Sequence, residues 1–522
     1  MTTTVRDPQK DSSSLTRRRL LQAAGGITFL AFILTESGAY AAMVQDTGDA
    51  AEAKALPLFT ALPYIQSGPG SSKLVDGQES LVIAWQTNGV PATFALEYGI
   101  ASRTESKATL TQKSRKGDKA AEGDQRINHA ATLSGLKLNT RYQYRVRLND
   151  TTLLEGYFTT RKPRGVKTRF VAFGDNSYGE ISDRAIAYQA YRARPDFVMN
   201  TGDNVYEGGL DNEYARYFFP VYNADTAGQR TGAPLLRSVP FYSVIANHDV
   251  HGKDAMKRPV ADFDKEPDSL AYYTNLYLPL NGLDPTQKTP TVGAADRLAD
   301  FSDCAAGRFP RMANYSFDYA DAHFLCLDSN VYVDPTDTAL QTWIAADLDG
   351  TDAPWKFVVF HHPAFNVGHD HYTAQHMRVL SPLFEKHGVD ICLHGHEHTY
   401  QRTRPIKFAP GDTSGASNVN GKNRLVPGTF TIDRKFDGHT ATKPDGILYI
   451  VTGAGGNHLY DPESNNNPAQ WLHPEDNNAD YVSRFISDRH SLTVFDMDKS
   501  ALTMTQIDEW GNTVDRIRIT KA

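Results

Sequence analysis

The sequence predicts an N-terminal β-sandwich followed by a larger α/β domain, in which layered central β-sheets are flanked by helices. Three features carry this expectation. Between residues 56 and 162 short strands recur at short spacing, with no helical pattern among them. After the basic segment RKPRG (161–165) the apolar runs lose their alternation, which marks strands buried on both faces. Stretches of helical length and pattern then lie between those runs, as layered α/β architectures require.

In the first module, SLVIAWQT (80–87) reads as a strand with Trp85 inward, and TFALEYGI (93–100) as another. ATLSGLKLNTRYQYRVRL (131–148) gives a short strand, a turn and a strand alternating aromatic and basic residues, and LEGYFTT (154–160) closes the module. The segment LSGLKLNTRYQYRV resembles a fibronectin type III domain, whose tyrosine-bearing late strand follows a leucine-containing turn. In the second domain, 166–522, strands are expected in TRFVAFGD (168–175), RPDFVMNTGDNVY (194–206), FYSVIANHD (241–249), KFVVFHHP (356–363) and VDICLHGHEH (389–398). ANYSFDYADAHFLCLDS (313–329) reads as two strands with a turn at 319–321. Helices are expected over 181–193, 339–350 and 375–388, the last bent at Pro382. Insertions of loops and short helices are placed near 208–237 and 251–307, and 403–445 reads as loop. Strands return at 446–456 and 489–498, and the chain closes in a β-hairpin around Gly511.

Length supports two domains, because 522 residues exceed what one average domain needs. With 40% hydrophobic and 22% charged residues the body has the balance of a globular protein. A net charge of −7 excludes a basic nucleic-acid footprint and leaves local positive charge to be supplied at any anion-binding site. Of the three cysteines, Cys326 and Cys392 sit in apolar strands and read as buried thiols. Residues 1–41 have the parts of an export signal: Arg17-Arg18-Arg19, a short apolar run, and small residues at Ala39 and Ala41. The paired arginines look like a twin-arginine signal, which implies the twin-arginine machinery as a partner and a periplasmic or secreted destination. Residues 42–55 read as a linker.

Polar, metal-type residues recur at the carboxyl ends of the apolar strands. Asp175 ends one; Asp203 ends another, with Tyr206 three residues on; Asn247 and His248 end a third; His361 and His362 a fourth; His394, His396 and His398 a fifth. A lone aspartate there is usually a turn former. Five such ends leave the same edge of a sheet and converge. Carboxylates with imidazoles suit divalent or trivalent ions, and a carboxylate can bridge two of them; Asp203 in GDNVY is the candidate bridge. His396 and His398 follow Gly395, so a turn would aim them at different ions.

The ordered set FGDNSYG, TGDNVY, ANHD, FHHP and GHEHTYQR resembles the metallophosphoesterases, and within them the purple acid phosphatases, over about residues 168–460. The PYIQ segment (63–66) and the sandwich module are similar to those of bacterial members with a fibronectin type III-like N-terminal domain. The resemblance implies that Asp175, Asp203, Tyr206 and His398 hold an iron(III) ion. It implies that Asp203, Asn247, His361 and His396 hold a divalent ion (zinc, iron or manganese). Tyr206 carries the refinement, since a phenolate favours a ferric ion and Asn176-Ser177 stand where broader phosphoesterases have a histidine. His248 is implied to bind the phosphate or protonate the leaving oxygen, and His369 or His371 to face the substrate. His394 is expected to stand behind the site. Two departures are Ala246 in place of glycine and His362 in place of a small polar residue.

The implied activity is phosphomonoester hydrolysis of the acid phosphatase kind. A metal-bound hydroxide would attack phosphorus directly, with no phosphoenzyme. Two alternatives stand beside it: a phosphodiesterase or phospholipase C-like hydrolase, and a surface-binding protein with a degenerate hydrolase body. The sandwich module carries no motif of its own, so weak contact with a surface or polymer stays open for it.

Overall fold

The computed structural model describes residues 58–522 except 71, 73, 75–76, 101–105, 108, 116–125, 150, 251–267, 284–303, 420 and 522, together with two short backbone strands, Phe32–Leu34 and Tyr40–Ala42. Most of the expected signal and linker, and most of the expected insertion at 251–307, lie outside the described residues.

Two facing sheets build the N-terminal module. Leu58–Gln66, Glu79–Asn88, Arg126–Leu136 and Thr109–Arg115 lie in one; Thr151–Thr159, Arg141–Leu148, Phe94–Ile100 and Ser106–Lys107 form the other. Leu81, Ile83 and Trp85 turn between the sheets and pack with Phe94, Leu96, Tyr144 and Phe158. Val82 and Ala84, on the opposite face, join Tyr64 and Ala130 in a cluster with Phe219, Leu235 and Leu236 of the second domain. This double burial explains why the segment SLVIAWQT does not alternate. Polar ties reinforce the junction: Arg161 pairs with Glu79 at 2.8 Å and Arg126 with Asp211 at 2.7 Å, both acids buried.

His129 lies fully buried in this module, stacked on Trp85 with ring centroids 5.3 Å apart and bonded to Thr87 Oγ1 at 2.9 Å. Burial holds its pKa down at about 4. A histidine with a depressed folded pKa contributes stability that is complete above its unfolded value and is lost as pH falls through the folded one. We therefore expect the protein to lose about 3 kcal/mol between pH 6.5 and pH 4 from this group. Urea unfolding at both pH values should show a smaller acid loss in His129→Gln, and an equal loss in both proteins would refute the assignment.

The second domain is built on two mixed sheets. One has the order Phe241–Ser243, Phe197–Asn200, Thr168–Phe173, Ser491–Met497, Ala501–Asp508, Thr513–Thr520. The other runs Tyr315–Tyr319, Ala322–Cys326, Trp355–Val359, Ile391–His394, Leu448–Thr452, Tyr400–Thr403, Val482–Ile486. Between them Phe170, Phe197, Phe317, Phe324, Phe357 and Phe495 form one stacked and edge-to-face aromatic core. Helix Ile181–Arg192 sets Ile186, Ala187 and Ala190 against Val171 and Val198 of the first sheet. Helix Thr338–Asp349 sets Leu340, Ile344 and Leu348 into the main core, its N-terminus capped by the Asp337 side chain. The strands whose ends carry the motifs are parallel to one another within each sheet: 168–173, 197–200 and 241–243 in one, 355–359, 391–394 and 448–452 in the other. Their carboxyl ends therefore share an edge, and the two edges join where Gly174 N–H donates to the Thr452 carbonyl at 3.1 Å.

Three local expectations are corrected. The stretch 375–388 is a 3₁₀ turn, His376–Leu380, followed by a separate short helix, Ser381–Lys386. Pro382 starts that helix, because in the first turn its missing N–H costs nothing. The stretch 403–445 contains a hairpin, Ile406–Pro410 with Gly428–Ile432, whose Phe408 is buried with Phe430 packed beside it. The region 208–237 adds a small hairpin, Asn223–Gly228 with Gly232–Pro234, to its short helices. Cys326 and Cys392 are buried free thiols. Among the described residues no helix is long and apolar enough to cross a membrane.

Candidate metal centre

Three of the candidate strand ends turn unusually tightly. Asp175, Asp203 and His396 all have positive φ, at 59°, 50° and 69°, a conformation that costs a non-glycine residue on the order of 1–3 kcal/mol. Strain at three converging strand ends indicates that side-chain placement there outweighs backbone comfort. Gly395 permits the closest approach: a Cβ on it would lie 2.4 Å from Asp175 Oδ2 and 2.9 Å from His361 Nδ1. The His396 N–H then donates to both Asp175 oxygens, at 2.9 and 3.0 Å.

The structure brings Asp175, Asp203, Tyr206, His361, His396 and His398 together. The Tyr206 hydroxyl stands 3.2 Å from Asp203 Oδ2, 3.2 Å from His398 Nε2 and 3.5 Å from Asp175 Oδ1. His361 Nε2 is 3.3 Å from Asp203 Oδ2, and ligand atoms of Asp203, His361 and His396 all lie within 4.8 Å of one another. Backbone carbonyls orient the rings: Thr201 binds His361 Nδ1 at 2.9 Å and His458 binds His398 Nδ1 at 2.7 Å, which turns both Nε2 atoms toward the carboxylates. Asn247 Oδ1 and His361 Nε2 are buried without a hydrogen-bond partner among the described residues. The His248 N–H donates to Asp203 Oδ1 at 2.9 Å, which fixes Asn247 beside that carboxylate.

Electrostatics show what this cluster lacks. Burial lowers the His361 pKa, but Asp203 and Asp175 outweigh it and hold the imidazole at about 9. Burial, then the neighbouring imidazoles, keep His396 neutral. Burial raises Asp175, and Asp203 raises it further. Burial alone would raise Asp203 as well, but His361 and His248 hold it below the ordinary carboxylate range. Two buried carboxylates, one protonated imidazole on His361, a neutral His396 and the unpartnered Asn247 Oδ1 form a site short of positive charge. A pair of cations fits it, in charge and in donor type.

The remaining sequence candidates divide. His248 Nδ1 is held by the Glu207 carbonyl at 3.0 Å, and its ring lies 4.4 Å from Tyr206. The ring of His371 lies 4.0 Å from that of His396, on the site, whereas His369 turns outward to Glu463 at 3.5 Å. His362 is 4.2 Å from His396, with its Nδ1 on Ser329 Oγ. His394 is buried behind the centre, Nδ1 on the Phe360 carbonyl at 3.0 Å, its ring parallel to Tyr449. Two site residues were missed. Tyr460 stacks on His398 at 4.0 Å and 11°, and His458 supplies the carbonyl that orients it. Both follow the apolar strand 448–452, so the strand-end signal was present in GAGGNHLY.

Residues 168–400 match the calcineurin-like phosphoesterase family, and residues 73–160 match the purple acid phosphatase N-terminal domain. The chain is 27% identical over 277 residues to purple acid phosphatase 17 of Arabidopsis thaliana, covering 50% of this chain and 71% of the relative. It is 23% identical over 426 residues to an uncharacterized protein of Mycobacterium tuberculosis, covering 74% and 73% of the two chains. A purple acid phosphatase from yellow lupin seeds superposes with a TM-score of 0.61 at 17% identity, covering 88% of this chain and 74% of that one, and so shares the fold. The family implies a dinuclear metal centre, and the clustered Asp203, His361 and His396 are suited to it. By these matches the chain is a purple acid phosphatase-like metallophosphoesterase, a phosphoester hydrolase with a metal site.

Proposed function

We propose that the protein hydrolyses phosphate monoesters at a ferric and a divalent ion (zinc, iron or manganese). Asp175, Asp203, Tyr206 and His398 would hold the first ion, and Asp203, Asn247, His361 and His396 the second. The observation that carries this reading is the position of the Tyr206 hydroxyl between Asp203, Asp175 and His398, where a phenolate would join both carboxylates on one hard cation. When bound, such ions lower the pKa of water and neutralise charge on the phosphoryl group. The chain's own residues orient the reaction. The Glu207 carbonyl accepts from His248 Nδ1–H and orients the ring, so that when both ring nitrogens carry hydrogen Nε2 donates its proton to the leaving oxygen. His371 stands over His396 and binds the ester from the open side, since it is partly exposed while His396 is buried. His369, turned to Glu463, has no part in this reading. Export to the periplasm or medium is proposed on the Arg17-Arg18 pair and the apolar run after it.

Rates on a monoester and a diester across pH 4–9 test the substrate class; faster diester turnover would replace the monoester reading. The purified protein should contain iron and show a visible absorption band. Tyr206→Phe should abolish that band and lower activity about 10–100-fold. A colourless, iron-free and fully active wild-type protein would sink the ferric assignment.

A further inference from the structure

A second cluster of metal-type side chains lies beside the candidate centre. His369 Nδ1 and one carboxylate oxygen each from Asp461 and Glu463 lie within 4.8 Å of one another. His369 Nδ1 is 3.5 Å from Glu463 Oε1, long for a hydrogen bond. It is close to the separation of about 3.3 Å that two ligands of one tetrahedral zinc-sized ion would have. Asp461 is buried and held at a positive φ of 48°, and its Oδ2 accepts the His369 N–H at 3.0 Å.

Glu397 supplies the independent observation. It is fully buried, its Oε1 accepts the His371 N–H at 3.0 Å, and its Oε2 has no hydrogen-bond partner among the described residues. That oxygen is aimed at the cluster: a Cβ on Gly368 would lie 2.4 Å from Glu397 Oε2 and 2.8 Å from Asp461 Oδ2. Asp370 adds a further acid on the same segment, and its field reaches both Glu397 and Asp461. Among the described residues no lysine or arginine pairs with any of these four carboxylates; their ion-pair partners are histidines alone. Two buried carboxylates that face each other without a counter-charge need a cation or a shared proton. The nearby imidazole nitrogen and the outer carboxylate of Glu463 favour a cation, because they complete a mixed N/O donor set.

We propose that His369, Asp461 and Glu463 bind a third cation, a divalent ion of the zinc or manganese type, in the field of Glu397 and Asp370. The ion ties the segment 366–371 to the turn 461–463. It thereby steadies His371, whose backbone Glu397 holds and whose ring packs on His396. This site is separate from the dinuclear centre and does not depend on that centre's chemistry.

The test uses the full chain, stripped of metal and dialysed against zinc chloride, with zinc per chain measured by elemental analysis. The double variant His369→Ala/Glu463→Gln changes two exposed side chains and should hold one equivalent fewer than wild type. Asp203→Asn should lose zinc from the dinuclear centre yet keep this equivalent, and lose it only when the surface pair is changed as well. Equal zinc in wild type and the His369→Ala/Glu463→Gln variant would overturn the proposal and leave Glu397 and Asp461 as a proton-sharing pair. If instead Asp203→Asn bound as much zinc as wild type while the surface variant lost one equivalent, the dinuclear reading would fail and the third site would stand.

Discussion

Asp203→Asn is expected to lower kcat/KM by about 10³-fold or more and to bring the metal content below two ions per chain. The substitution keeps the shape of the side chain and one acceptor oxygen, so the His248 N–H bond at 2.9 Å can persist and the fold should hold. What it changes is charge and donor sense at Oδ2. That oxygen faces His361 Nε2 at 3.3 Å and the Tyr206 hydroxyl at 3.2 Å, and an amide NH₂ there would present hydrogens to both groups. It would also remove the largest charge that holds His361 protonated in the metal-free site, so the His361 pKa should fall from about 9 toward its ordinary value. Elemental analysis, steady-state kinetics and histidine NMR titration of the metal-free protein check the three consequences separately. Wild-type metal content with wild-type turnover would remove Asp203 from the bridging role.

The site was legible in the sequence because of how parallel strands are buried. Such strands lack alternation, so their carboxyl ends stand out as the first polar residues after an apolar run, and the fold gathers those ends on one edge. Asp175, Asp203, His361 and His396 were found that way. The choice between His369 and His371 was not legible, since spacing alone does not tell which ring turns inward. It is made by acids far away in the chain: Asp461 takes the His369 N–H and Glu397 the His371 N–H. Tyr460 and His458 followed the same strand-end rule but lay after Gly455-Gly456, beyond the segment read as strand. The hairpin of 406–410 and 428–432 was hidden for a different reason: its Lys, Thr and Gly content reads as loop, and only tertiary packing of Phe408 and Phe430 makes it a strand pair.

The second large effect concerns stability. Arg378→Leu should destabilise the protein by about 3–5 kcal/mol, because it leaves the buried Asp476 carboxylate without its partner. Both side chains are almost fully buried, and the pair is bidentate, Nη1 to Oδ1 at 2.7 Å and Nη2 to Oδ2 at 3.0 Å. Phe365, Phe408 and Phe430 surround the guanidinium, with its carbon 4.9 Å from the Phe365 ring centroid, so little water can enter to solvate a lone carboxylate. The same guanidinium donates from Nε to the Ala364 carbonyl at 2.6 Å, just beyond His361 and His362. The pair thus anchors the loop that leaves the metal centre toward His371. The double variant Arg378→Met/Asp476→Leu should recover most of the loss, since desolvating two charges offsets much of what their attraction contributes. Urea unfolding of the metal-free proteins is the appropriate measurement, because bound ions would add a linkage term that differs between variants. A single variant within about 1 kcal/mol of wild type would mean that Asp476 finds another partner. If the double variant were as unstable as Arg378→Leu, the packing and the Ala364 bond, rather than the unpaired charge, would be what the arginine supplies.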